Sequence, residues 1–149
     1  MAYQIIGETI KSATSLKLGE IFGKDTIRYK ETITNVKYPN FFIDQINLQI
    51  TPAGRTRMQL DYLINIRYRV AEDTASVTDL QQRLDEVGLE LCAKLLSLDL
   101  ERPVKTKNRR YEKVDGVLQF FFEVTVYAVP EETEEPIRQQ NLKINREVI

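Results

Sequence analysis

From Met58 to Val70 the chain alternates almost without fault. Every even position is apolar or aromatic (Met58, Leu60, Tyr62, Ile64, Ile66, Tyr68, Val70), and every odd one is polar except Leu63. Side chains of a strand point to opposite faces in turn, so this pattern demands one face in a core and one facing water or a partner. Thirteen residues is also long for a strand, whose usual length is about 5–6 residues. A strand this long is expected to outrun its own domain and offer its far end to another chain.

A second strong signal lies downstream. Arg110 to Val129 reads as two strands meeting at Asp115-Gly116. Asp-Gly between alternating segments marks a type I′ turn, which needs positive φ at both central residues. Leu118, Phe120, Phe122, Val124 and Val126 form the core face of the second strand, with Phe121, Tyr127 and Val129 on the other. The first strand, Glu101 to Lys113, is started by Pro103 and is dense in Lys and Arg.

The remaining elements fall into order around these. Tyr3 to Phe22 has helical period, with Tyr3, Ile6, Ile10, Ala13 and Ile21 on one stripe and Leu18 at its margin. Lys17 falls inside that stripe, where it either snorkels to water or meets an acidic partner; snorkelling is the reading preferred here. Gly23 is placed to end the helix in a left-handed conformation. Thr26 to Thr32 is a short strand, and Asn35 to Asn40 is turn-like. Phe41 to Ile50 is another strand whose phase changes: Phe41 and Ile43 share one face, Ile46, Leu48 and Ile50 the other, so either a bulge near Asp44-Gln45 reconciles them or both faces are covered at the strand's start. After the N-cap candidates Thr74 and Ser76, a second helix is expected from Val77 to Leu98, carried by Leu80, Leu84, Val87, Leu91, Leu95 and Leu98.

The expected fold is α+β: a mostly antiparallel sheet with two amphipathic helices on one face, in the order α-β-β-β-α-β-β plus a short C-terminal strand. Residues 1–130 make one domain. Past Pro130, Glu131, Glu132, Glu134 and Glu135 form an acidic linker, and Leu142 to Ile144 offers a last weak strand in the 131–149 tail.

Chemistry is sparse. The chain has no histidine, hence neither the commonest general base nor the commonest metal ligand. Its one cysteine, Cys92, cannot form an internal disulfide, and without a basic neighbour in view it reads as an inert, half-buried thiol. The six glycines are scattered and make no phosphate loop. No enzyme, cofactor or metal is expected. A net charge of −1 gives no general attraction to nucleic acid or anionic membrane. The N-terminus lacks a signal-peptide pattern and no apolar run reaches the ~20 residues of a membrane span. These features point to a chain made and assembled in the cytoplasm.

Arg102, Lys105, Lys107, Arg109, Arg110 and Lys113 form the strongest charge cluster. Alternation places most of the odd positions on one face as a basic stripe. Single-strand binders interleave stacking aromatics with their cations. Their absence here favours a protein partner, or a strand edge kept soluble by Lys and Arg, over nucleic acid.

The run Arg110 to Phe122, RYEKVDGVLQFFF, resembles the RYE-x-VDGVLHFF-like hairpin of the phage tail terminator family found in Firmicutes prophages. LxEIFG at Leu18–Gly23, a short strand at Thr26–Glu31 and YPNFFI at Tyr38–Ile43, similar to the family's P-x-FFI, follow the same order. Gln119 departs from the family's usual His, and the Glu131–Glu135 linker is idiosyncratic. The resemblance implies a structural protein of the virion or of a phage-tail-like particle. It implies a homo-hexameric ring on the head-proximal end of the tail tube, touching the tube protein and a sheath, head connector or collar. The alternatives are a head–tail connector without length control and a nucleic-acid-binding accessory protein. Candidate interface residues are Arg55, Arg57, Arg67, Arg69, Arg102, Lys105, Lys107, Arg109, Arg110, Glu131, Glu132, Glu134, Glu135, Leu142 and Ile144. Neither membrane nor sequence-specific nucleic acid is an expected partner.

Overall fold

The structure, a computed structural model, describes residues 3–31, 36–70 and 77–129. Its elements are α1 (Tyr3–Phe22), β1 (Ile27–Tyr29), β2 (Asn40–Pro52), β3 (Met58–Arg69), α2 (Val77–Lys94), β4 (Ser97–Asp99), β5 (Pro103–Lys105), β6 (Lys107–Val114) and β7 (Val117–Ala128). Five strands form one sheet in the order β1-β2-β3-β7-β6, and β4 pairs with β5 in a small second sheet. Every pairing is antiparallel except the parallel contact of β1 with β2. The α+β class and the order of elements follow the sequence reading, with β4–β5 as an added short pair.

The alternation of β3 becomes burial as expected. Leu60, Tyr62, Ile64, Ile66 and Tyr68 are all buried beneath the helices. Beside them lie Phe41 and Ile43 of β2 and Leu118, Phe120, Phe122 and Val124 of β7. The helices close this face with Ile10 and Leu18 from α1 and with Leu84, Val87 and Leu91 from α2. Leu18 is fully buried, more central than the helical projection placed it. Tilted ring contacts tie the end of α1 to the sheet: Phe22 to Phe41 at 5.0 Å and Phe41 to Tyr68 at 4.8 Å.

Local chemistry sets the ends. Gly23 takes φ 110° and its N–H donates to the Gly19 carbonyl at 2.9 Å, closing α1 with a left-handed cap. Asp115 and Gly116 adopt φ 50° and 75°, both positive as a type I′ hairpin requires. The β2 bulge falls between Gln45 and Asn47, one residue beyond the expected place. It ejects Ile46, now 50% exposed, and returns Leu48 and Ile50 to the face of Phe41 and Ile43.

Four expectations need correction. β3 does not overhang, because it pairs from Met58 to Tyr68 with both neighbours, and β2 also engages Arg69; its length is matched by theirs. α2 ends at Lys94, and Leu98 is buried from β4. Leucines three or four residues apart cannot tell a continuing helix from a turn that returns the next leucine to the same core. Lys17 reaches acidic partners, Glu20 at 3.3 Å and Asp99 at 3.4 Å. Burial alone would lower its pKa, but those two carboxylates outweigh it and the ammonium is raised.

The fourth correction concerns the basic strand. Glu101–Lys113 is split at Thr106 into β5 and β6, which belong to different sheets. A register shift between Lys107 and Arg110, with Asn108 at φ 53°, then breaks the alternation. No single basic stripe exists among the described residues. The acidic linker and the Leu142–Ile144 segment, like Thr32–Asn35, Thr74 and Ser76, lie outside the described residues.

Candidate functional site

Both helices cover the same side of the sheet, which leaves the other side open. Its rows are fixed by register: Phe42–Arg67–Gln119–Glu112, Asp44–Asn65–Phe121–Arg110, Asn47–Leu63–Glu123, Gln49–Asp61–Thr125 and Thr51–Gln59–Tyr127. This surface holds both charge signs over half-buried apolar groups. Leu63, Phe42 and Phe121 are partly covered, Ile46 and Tyr127 largely exposed.

Three arginines lie over aromatic rings. Arg67 stands 4.6 Å from the centre of Phe42, Arg57 4.7 Å from Tyr127 and Arg110 5.3 Å from Phe121. A guanidinium over a ring hides apolar area and keeps its charge outward. The accompanying ion pairs are long: Arg67–Asp44 and Arg110–Glu123 are both 3.9 Å. Exposed pairs of this kind contribute little to folding. Arg67 Nε is buried without a hydrogen-bond partner among the described residues. Such a surface keeps charge in water and leaves bonding capacity at Arg67 unused.

Within this face lies one well-made polar cluster. Asp61 accepts from Thr125 Oγ1 at 2.5 Å and from Gln59 Nε2 at 2.9 Å, and Lys107 Nζ donates to Thr125 Oγ1 at 2.6 Å. The Thr125 bond, opposed by burial and helped by Gln59 and the Lys107 charge, holds the Asp61 carboxyl below its usual range. Buried Asn65 donates to the Phe120 carbonyl at 3.3 Å.

The expected interface residues therefore scatter. Arg57, Arg67 and Arg110 gather over the open face, and Lys107 joins its polar cluster. Arg69 follows on the open side of β3 and is exposed, as is Arg55 in the β2–β3 loop. Arg102 and Lys105 sit exposed on the β4–β5 hairpin, in the other sheet. Arg109 turns inward. It donates to the Cys92 carbonyl at 3.2 Å and to Thr106 O and Oγ1 at 2.9 and 3.0 Å. Thr106 in turn donates to the Leu95 carbonyl at 2.6 Å and, through its N–H, to Leu96 O at 3.0 Å. The two residues thus satisfy carbonyls that the end of α2 leaves without helical partners. Cys92, beside them, is raised by burial and opposed by the Arg109 charge. On the same side, Asp85 of α2 accepts from Lys113 at 2.9 Å and from Tyr111 at 3.2 Å; the Lys113 bond foremost lowers its pKa. Glu131, Glu132, Glu134, Glu135, Leu142 and Ile144 lie outside the described residues.

Sequence reasoning put Phe121 and Tyr127 on the face opposite the core but did not see what covers them. The pairing of Phe42, Phe121 and Tyr127 with Arg67, Arg110 and Arg57 follows from the strand register and the β2–β3 loop. A groove of about 590 Å³ also opens between the helices, floored by Ile21, Phe22, Val87 and Ala93. Its rim carries the ion pairs Arg83–Glu86 at 3.7 Å and Lys94–Glu90 at 2.6 Å. No cluster of three or more metal-ligating side chains occurs among the described residues, and none of their helices is long and apolar enough to cross a membrane.

Two helices on one side of the sheet and a bare, charge-studded face on the other leave no catalytic or metal constellation among the described residues. Residues 9–136 match the family model for the phage tail terminator protein, and the chain belongs to that family. No curated protein matches it. Membership assigns a structural part in tail assembly, in association with other tail or head proteins, as a component of a virion or tail particle.

Proposed function

We propose that the chain closes into a homo-hexameric ring on the head-proximal end of the tail tube, stopping tube growth and presenting a docking surface to a head connector or collar. Stacked rings offer the same surface at every step, so growth ends only when a ring differs on its outer side. A head-to-tail contact between copies joins two different patches, and such contacts close when the rotation per subunit fits. The observation that carries this reading beyond membership is the uncovered sheet face. It keeps Phe42, Phe121 and Tyr127 under arginines, and Leu63 half-buried beside them, instead of under a third layer. Charge of both signs there suits a partner whose own surface is mixed.

Particles assembled without this protein test the reading under the electron microscope. Tubes of uncontrolled length are expected. Tails of normal length lacking heads would instead identify a connector without length control. A six-subunit mass for the native protein or for its particle-bound form is the second expected result, and a strictly monomeric chain in both settings would overturn the ring.

A further inference from the structure

The two edges of the five-stranded sheet are guarded very differently. β6 at one edge carries Lys107, Arg109, Arg110 and Lys113 and is interrupted at Asn108. Charge and irregularity of this kind keep strangers from pairing with an edge. At the other edge, β1 covers β2 only from Asn40 to Phe42. No described strand lies against the outer side of β2 from Ile43 to Pro52. The bulge at Ile46 interrupts this edge near its middle. Beyond it, Asn47-Leu48-Gln49-Ile50-Thr51 has no Lys, Arg or Pro before Pro52. Roughly half the backbone groups of such a stretch point away from β3 and want partners.

We infer that this edge accepts an added strand, Asn141–Ile149 of a neighbouring copy, and that the addition locks the ring. The inference rests on the ring reading above. Three features select that occupant. First, β7 ends at Ala128 opposite Met58, which lies opposite Pro52. The tail therefore leaves from the end of the sheet where the bare edge lies, about 10 Å away across two strand spacings. Second, the twelve residues after Val129 up to Asn141 span at most roughly 40 Å, enough to reach an adjacent subunit. Third, the patterns match. Leu142 and Ile144 alternate with Lys143 and Asn145. On β2, half-buried Leu48 and Ile50 point to the core side, and Asn47, Gln49 and Thr51 to the open side. Added in that phase, Leu142 and Ile144 extend the apolar row, while Lys143 faces a side holding Asp44 and Asp61. The segment lies past residue 136, where the family match ends.

The test compares the full chain with a chain ending at Pro136. Native mass measurement is expected to show the oligomer of the full chain dissociating at a concentration at least ~tenfold higher once the tail is gone. Amides of Asn47–Thr51 are expected to exchange at least ~tenfold faster in the shortened chain. Leu142→Asp with Ile144→Asp in the full chain should reproduce both effects and covers the case in which the shortened chain does not fold. In a Cys92→Ser background, differently tagged copies carrying Lys143→Cys and, in turn, Asn47→Cys, Gln49→Cys or Thr51→Cys should cross-link between tags. A ring equally stable without the tail, with exchange unchanged, overturns the strand addition and leaves the ring standing. Cross-linking only within a chain bearing both cysteines overturns the exchange between copies. A full-length chain that stays monomeric overturns the ring itself, and the addition between copies with it.

Discussion

The two faces of β3 are built by one strand with one set of backbone bonds, yet they do opposite work. Its even residues, Leu60 to Tyr68, are sealed under two helices; its odd residues, Gln59 to Arg69, look outward among paired charges. On the sealed face, energy comes from apolar area removed from water. On the open face the apolar side chains are only half hidden, and arginine stems and rings supply the rest of the cover. One face is finished on folding. The other stays open to water in the single chain.

That contrast predicts a wide gap in stability between substitutions on the two sides. Phe120→Ala, beneath the helices, should cost about 3–5 kcal/mol in urea unfolding of the isolated chain. Leu63→Ala on the open face should cost less than ~1 kcal/mol. Equal losses would mean the open face is already a core in the single chain.

The pair Arg109 and Arg110 sharpens the comparison, since neighbours in sequence point to opposite sides. Arg109→Ala removes the bond to the Cys92 carbonyl near the end of α2 and two bonds to Thr106, and is expected to destabilise by about 1–3 kcal/mol. Faster amide exchange in the last turn of α2 and in β5 should accompany it. If the shortened network leaves that exchange unchanged, the capping role of Arg109 is wrong.

Acid provides a gentler probe of the open face. The carboxyl of Asp61 is held low, foremost by Thr125, so its contribution is present above the ordinary carboxylate pKa of about 3.9 and fades as pH falls through the lower folded value. Asp61→Asn should therefore reduce stability at pH 7 and flatten the loss that sets in as pH falls below the ordinary carboxylate range. A variant whose acid transition keeps the parent's steepness would remove Asp61 from the account. Smallest of all, Arg110→Ala should change folding stability by no more than ~0.5 kcal/mol and act on assembly alone, read as a shift in oligomer dissociation by native mass. A large loss of folding stability would place Arg110 with Arg109 among the structural residues.

Much of the fold was legible because local patterns and the tertiary structure agree. The strict alternation of Met58–Val70, the Asp-Gly turn and the leucine repeat of α2 each demand one conformation in almost any context. Even the β2 bulge showed as a phase change between Ile43 and Ile46. The interface candidates were less legible. Reading every other residue of Glu101–Lys113 as one face assumed unbroken pairing, and Thr106 and Asn108 break it by turning one strand into two. Lys17 shows the same limit, since its acidic partner Asp99 is distant in sequence.

The order of the main elements, the placing of both helices on one face, the buried faces of β3 and β7 and the want of histidine chemistry were legible in the sequence alone, because period and composition are local properties. Only the tertiary structure decided that Glu101–Lys113 divides between two sheets, that Arg109 caps a helix while Arg110 faces outward, and that β2 keeps an unpaired edge. Each of these depends on which strands become neighbours and in what register, and a one-residue shift in register exchanges the faces.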